Sequence, residues 1–182
     1  VGASRLRSET AARLLDELRF SLIRGNASEI LALLGKSEAT RGVDAAEGDL
    51  VREENLRERA EAAQALAEKT GAVVAVSGAI DLVAGAEQTA AVRNGHPMMA
   101  RITGSGCMLG CLAGAFLGAN PDEPFEASVA AVAAMGVCGE IAAEKTLQSG
   151  AGTGTFRMHL LDAVSTLGTA EYDRRTRVEY LS

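Results

Sequence analysis

Apolar positions recur along this chain with two different periods. In SETAARLLDELRFSLIR, residues 8–24, Leu14, Leu15, Leu18 and Leu22 fall at helical spacing. That spacing predicts an amphipathic helix, with Ser8 as its cap and Glu9 in the first turn. GNASEILALLG predicts a short helix capped by Asn26, running through Leu34 and stopped by Gly35. Residues 36–50 mix polarities and glycines and read as a loop. Residues 49–70 predict a second amphipathic helix, with Leu50, Leu56, Ala60, Ala63 and Leu66 on one side. Its many Glu and Arg residues form a solvated face.

The period then shortens. GAVVAVSG, residues 71–78, is a continuous β-branched run, as expected of a strand buried on both faces. AIDLVAG and QTAAVRNG read as a hairpin around Gly85, and HPMMARI as a further strand. An apolar helix opens at Cys107 and ends near Gly118. A longer apolar helix covers residues 120–146, with Asp122 and Glu123 near its start. The Gly/Thr loop GAGTGTF leads into the helix FRMHLLDAVSTL. There is no internal repeat and no linker. Helices alternating with short buried strands predict an α/β fold with a mostly parallel central sheet.

Composition sharpens this picture at a few points. The 182 residues suffice for one domain with a sizeable core, and 47% hydrophobic with 23% charged is the globular range. Aromatics are 3% and Trp is absent, so the core is built from Ala, Val, Leu and Ile. The net charge of −6, with scattered basic residues, argues against nucleic acid as a partner. Three cysteines, Cys107, Cys111 and Cys138, without a C-x-x-C or His pairing, predict a reduced chain with no disulfide and no zinc site. The Cys107–Ala119 stretch is too short and too rich in glycine to span a membrane.

In open α/β sheets ligands bind beyond the carboxyl ends of strands. Two features fall at such ends: Ser77-Gly78, and TGSGC at residues 103–107. In the second, glycines permit a tight turn and close backbone approach. The helix that follows offers unpaired amides and the positive end of its dipole, a site suited to a phosphate in transfer. The same field favours the thiolate form of a cysteine placed there. The alternative is that Cys107 is a small residue at a helix start and the glycines only pack. Cys111 and Cys138 read as small hydrophobes inside apolar helices. In IRGNASEI, Arg24 can clamp phosphate and Glu29 can hold magnesium or its water shell; the bland reading is a surface arginine and a capped helix. GTGTF is a weak signal. His96 reads as a loop-shaping residue before Pro97, and His159 as structural or exposed.

Taken in order, LRFSLIRGNASEI, GVDA, GAVVAVSGAIDLVA, VRNGHPMMARITGSGCML and GTFRMHLLDAV resemble the hydroxyethylthiazole kinase family, a thiamin-salvage branch of the ribokinase-like superfamily. The resemblance covers essentially the whole chain. It implies a three-layer α/β/α fold and a cytoplasmic homotrimer with active sites at subunit interfaces. It also implies Mg²⁺- and ATP-dependent phosphorylation of the hydroxyethyl group of 4-methyl-5-(2-hydroxyethyl)thiazole. By the same resemblance Arg24 contacts the ATP phosphates and Glu29 supports magnesium. Ser77 takes a nucleotide-contacting position that is commonly Thr in the family, and Gly104 lies against the thiazole. Thr103 to Cys107 looks like the anion hole, in which the amides of Gly104, Ser105 and Gly106 hold the transferring phosphoryl group. Ribokinase-like enzymes generally place an Asp base where this family, and this sequence, has cysteine. Cys107 is therefore expected against the substrate hydroxyl.

The chain opens VGASRLRSE, without Met. In the family an Asp-Pro precedes VGAS, that Asp belongs to the magnesium site, and the earlier residues supply the first strands and much of the thiazole pocket. The expectation is that residues 1–182 form a single domain, the C-terminal part of such a kinase. Three other readings compete: a non-catalytic nucleotide-binding fragment, a cysteine-nucleophile hydrolase or acyltransferase using His96 or His159, and a sibling kinase with a pyrimidine or sugar acceptor.

Overall fold

A computed structural model describes Val1, residues 4–35 and residues 51–181. The loop expected at 36–50 lies outside the described residues, as do Asp49 and Leu50 of the expected second helix. In chain order the elements are α1 (Arg5–Glu17), β1 (Leu22–Asn26), α2 (Ala27–Leu33), α3 (Leu56–Thr70), β2 (Val73–Ser77), β3 (Asp81–Ala84), β4 (Thr89–Val92), α4 (Ser105–Ala119), α5 (Pro124–Gln148), α6 (Thr153–Thr166), α7 (Thr169–Arg175) and β5 (Val178–Leu181). Short 3-10 turns cover Glu53–Asn55 and Pro97–Arg101. The protein is thus α/β, and its described residues form five strands in the order β1-β2-β3-β4-β5. β1 and β2 pair in parallel, Arg24 opposite Ala75 and Asn26 opposite Ser77. β2 and β3 are antiparallel, Val76 opposite Leu82. The expected hairpin is present between β3 and β4, closed by the Gly85 amide donating to the Gln88 carbonyl at 2.8 Å.

Two compact units emerge, one of residues 1–91 with 180–182 and one of residues 92–179. In the first, β2 is buried along Val73–Val76, as its β-branched run predicts. Its core joins Val74, Val76, Leu82 and Ala84 to Ile23 and Ile30, and to Ala63, Leu66 and Ala67 of α3. α3 ends at Gly71, whose φ of 71° closes the helix in the left-handed conformation that glycine alone adopts without strain. The N-terminal segment differs from its periodicity. The helix starts from Ser4, whose side chain accepts the Arg7 amide, and stops at Glu17; Ser8 lies inside it. Leu22 to Arg24 belong to β1, because β2 supplies a buried parallel partner that outweighs the local helical spacing. Leu14 and Leu18 are exposed, and of the predicted stripe on the helix only Leu15 packs on the core.

The second unit is organised around α5. This helix is apolar nearly all round, and its residues from Phe125 to Ala143 are almost all buried, the pattern of a core helix. It is long and apolar enough to cross a membrane by composition, but 78% of its apolar window is buried within the protein. Small residues let neighbours approach: an added Cβ on Gly136 would stand 2.6 Å from the Asn94 Cβ and 2.8 Å from the Asn94 carbonyl carbon and oxygen. Asn94, from the RNGH run, explains that contact. Its Nδ2 donates to Glu140 Oε1 and to the Arg175 carbonyl, and its Oδ1 accepts the Arg177 amide at 2.7 Å. HPMMARI is not a strand. His96 Nδ1 accepts the Met98 amide, and Pro97 sits at the first position of the 3-10 turn. That start suits Pro, which has no amide to satisfy, and local capping overrides the apolar run. The Gly/Thr loop is shorter than expected, since Thr153 to Thr155 already form the first turn of α6.

Candidate functional site

The predicted site residues fall into two groups, one in each unit. The first gathers at the carboxyl ends of the parallel pair β1 and β2. β1 runs directly into α2, and Gly25 makes the junction possible: a Cβ there would meet Glu29 Cβ and Oε2 at 3.1 Å. Asn26 Oδ1 accepts the Glu29 amide at 2.8 Å, and Glu29 Oε2 accepts the Asn26 amide at 2.9 Å, a reciprocal capping box. Parallel pairing sets Arg24 and Ser77 on adjacent strands. Arg24 Nη1 lies 3.5 Å from Ser77 Oγ, the outer limit of a hydrogen bond, and Ser77 Oγ donates to the Gly25 carbonyl at 3.3 Å. The two residues proposed for the nucleotide are thus brought together. Glu29 belongs to the same unit.

Sequence reasoning missed Asp81 here. Its Oδ1 accepts the Gly78 amide at 2.9 Å, directly after Ser77. Burial pushes its carboxyl up to about 7; the Gly78 hydrogen bond and the Arg24 charge act in the opposite direction. The available signal was a carboxylate three residues beyond the glycine at a strand end.

The second group opens α4. Gly104 has φ 97°, a left-handed conformation that excludes most side chains, and no side chain caps the helix. The first intrahelical bond runs from the Met108 amide to the Gly104 carbonyl at 2.9 Å, so the amides of Ser105, Gly106 and Cys107 stand ahead of it, at the positive end of the dipole. Cys107 is exposed. One expectation is corrected: α4 is apolar but not buried. Only Leu109 and Ala113 are buried, and Cys111 is exposed rather than packed as a small hydrophobe. Helical periodicity places Cys111 one turn beyond Cys107, on the same outward side. Cys138 is buried, and burial pushes its thiol up to about 11. A disulfide-exchange reagent is therefore expected to modify two thiols rapidly and the third only in denaturant. Fast modification of all three in buffer would contradict this arrangement.

Among the described residues no three His, Cys, Asp or Glu side chains gather at one point. The donor set nevertheless suits magnesium, which commonly takes one or two carboxylates and completes its shell from water and phosphate oxygens. Glu29 Oε2 is taken by its capping box, which leaves Oε1 as the oxygen it can offer.

The structure superposes on that of the hydroxyethylthiazole kinase protein from Pyrococcus horikoshii OT3 with a TM-score of 0.80 and 27% identity, over 100% of this chain and 63% of that one. This defines an α/β protein of the ribokinase-like class. A model of the hydroxyethylthiazole kinase family matches residues 1–170, and the chain belongs to that family. It is 54% identical to the hydroxyethylthiazole kinase of Desulfovibrio desulfuricans, over 91% of this chain and 61% of the relative. With that of Clostridium acetobutylicum it shares 44% over 98% of this chain and 65% of the relative. The chain thus spans somewhat under two thirds of the length of these relatives.

Proposed function

We propose that this chain is the C-terminal part of a single kinase domain that transfers the γ-phosphoryl group of ATP to the hydroxyethyl group of 4-methyl-5-(2-hydroxyethyl)thiazole. The observation that carries the reading is the start of α4: a left-handed Gly104, an uncapped helix end and an exposed thiol at Cys107. Phosphoryl transfer asks mainly for positioning and for stabilisation of charge. The amides of Ser105 and Gly106 supply donors for the equatorial oxygens, and Gly104, lacking a side chain, lets the thiazole approach the backbone. Cys107 is the group placed to take the hydroxyl proton as the substrate oxygen bonds to phosphorus and ADP leaves. Arg24, with Ser77 beside it, takes the ATP phosphates. Glu29 would support a magnesium ion, which would supply neutralisation of phosphate charge there. The family supports a cytoplasmic homotrimer as the working form.

The test is thiazole-dependent consumption of Mg-ATP, with Cys107→Asp as the probe variant. If the thiol is a placeholder base, that variant keeps or raises the rate. Total loss of turnover in a variant with unchanged folding would count against Cys107 as the base. The fraction of the relatives' length matched here favours a second reading, a part that binds nucleotide but needs further sequence for turnover. ATP binding without turnover, in a protein whose intact mass starts at Val1, would select it.

A further inference from the structure

We propose that Cys107 and Cys111 form a two-thiol site on the open side of α4 for a soft monovalent metal ion of the copper(I) kind. The site goes beyond the phosphoryl-transfer reading and is independent of it.

The first support is the spacing. Both thiols are exposed. They lie four residues apart in the uninterrupted helix Ser105–Ala119, so they stand one above the other on a single face. In that position their Cβ atoms are about 5–6 Å apart. A disulfide needs a Cβ gap of about 3.5–4.5 Å, so an intact helix keeps the two sulfurs from bonding to each other. A metal ion between them spans the wider gap. Metal–sulfur bonds of about 2.3 Å, the length found for zinc, place two sulfurs about 4–5 Å apart around a two-coordinate ion. The same spacing on a helix lets two histidines share one zinc ion in H-E-x-x-H sequences.

The second support is what surrounds the pair. Gly110 and Gly114 lie on the same side of α4, and a Cβ on either would meet nothing within 4 Å. The approach to both sulfurs is therefore open. Among the described residues no third His, Cys, Asp or Glu joins them, and Cys138 is buried within α5. Magnesium takes oxygen ligands and structural zinc takes four ligands. Two sulfurs with nothing else suit a soft ion.

The third support is charge. Each sulfur that bonds the ion gives up its proton to solvent, so two sulfurs around a monovalent cation carry one net negative charge. α4 starts without a side-chain cap, and the amides of Ser105, Gly106 and Cys107 precede its first intrahelical bond. That end of the helix stabilises an anion, and Cys107 is the third residue of the helix.

The experiment titrates the reduced chain, kept free of oxygen, into copper(I) held by a chromogenic chelator of known affinity. Wild type is compared with Cys107→Ser, Cys111→Ser and Cys138→Ser, with circular dichroism to show that each variant keeps its helix content. Wild type should withdraw one copper per chain without a change in oligomeric state. Cys107→Ser and Cys111→Ser should each bind about a hundredfold more weakly or worse, the advantage of a second ligand on one scaffold. Cys138→Ser should match wild type. Three results overturn the proposal: no copper taken from the chelator by wild type, equal affinity in wild type and Cys111→Ser, or one copper shared between two chains. Neither nucleotide binding nor turnover is read, so the outcome leaves the kinase reading untouched.

Discussion

Gly136→Ala is expected to lose about 3–5 kcal/mol of stability, the sum of an overpacking penalty and a broken buried polar network. The added methyl would meet Asn94 Cβ at 2.6 Å and the Asn94 carbonyl carbon and oxygen at 2.8 Å. Two of the three atoms it would strike are backbone, so rotation of a side chain cannot relieve the contact. Moving Asn94 strains its bonds to Glu140, the Arg175 carbonyl and the Arg177 amide. Glu140 Oε1 also accepts the Gly95 amide at 2.9 Å. Each buried group left without a partner costs roughly 1–3 kcal/mol, a large share of a domain's typical total of about 5–15 kcal/mol. Two controls bracket the effect. Gly110 faces open space in α4, and Gly110→Ala should stabilise by up to about 1 kcal/mol through helix propensity. Gly139→Ala would press only on the Met99 side chain, which can move. Urea denaturation of the three variants checks the order, and a midpoint for Gly136→Ala equal to that of wild type would refute it.

Arg24→Met should weaken binding of ADP or ATP by about ten- to a hundredfold, the size of one or two charge-assisted hydrogen bonds. The substitution keeps an unbranched stem beside Ser77 and removes only the charged end. It should also expose the coupling to Asp81. The Arg24 charge favours the ionised carboxylate, so its loss moves the Asp81 proton affinity further up. The pH range over which stability declines then extends higher, and the variant is expected to be less stable than wild type at pH 8 but similar at pH 5. Nucleotide titration at pH 8, paired with thermal unfolding at both pH values, separates the two effects. Unchanged affinity would remove Arg24 from the site and leave the parallel strand ends as architecture alone.

Much of the candidate site could be read before any coordinates. Asn26 and Glu29 are three residues apart, a spacing that itself encodes a capping box, and the structure contains it. The uninterrupted VVAVS run announces a buried strand, and Gly104 before a small-residue helix announces a left-handed entry. These are local signals: the residues that state them also satisfy them. Asp81 and Asn94 are different, since each acts on partners brought near by strand pairing or by packing on α5.

The sequence by itself determined the α/β class, the presence of the long apolar helices and the turn chemistry at Asn26 and before Cys107, because capping and backbone conformation are settled within a few residues. Tertiary structure alone decided that Leu22 to Arg24 leave the helical pattern for β1 and that α4 shows most of its apolar surface. Periodicity records that a residue is apolar; only the placement of distant segments decides whether a partner covers it, and a strand needs a neighbour to satisfy its backbone.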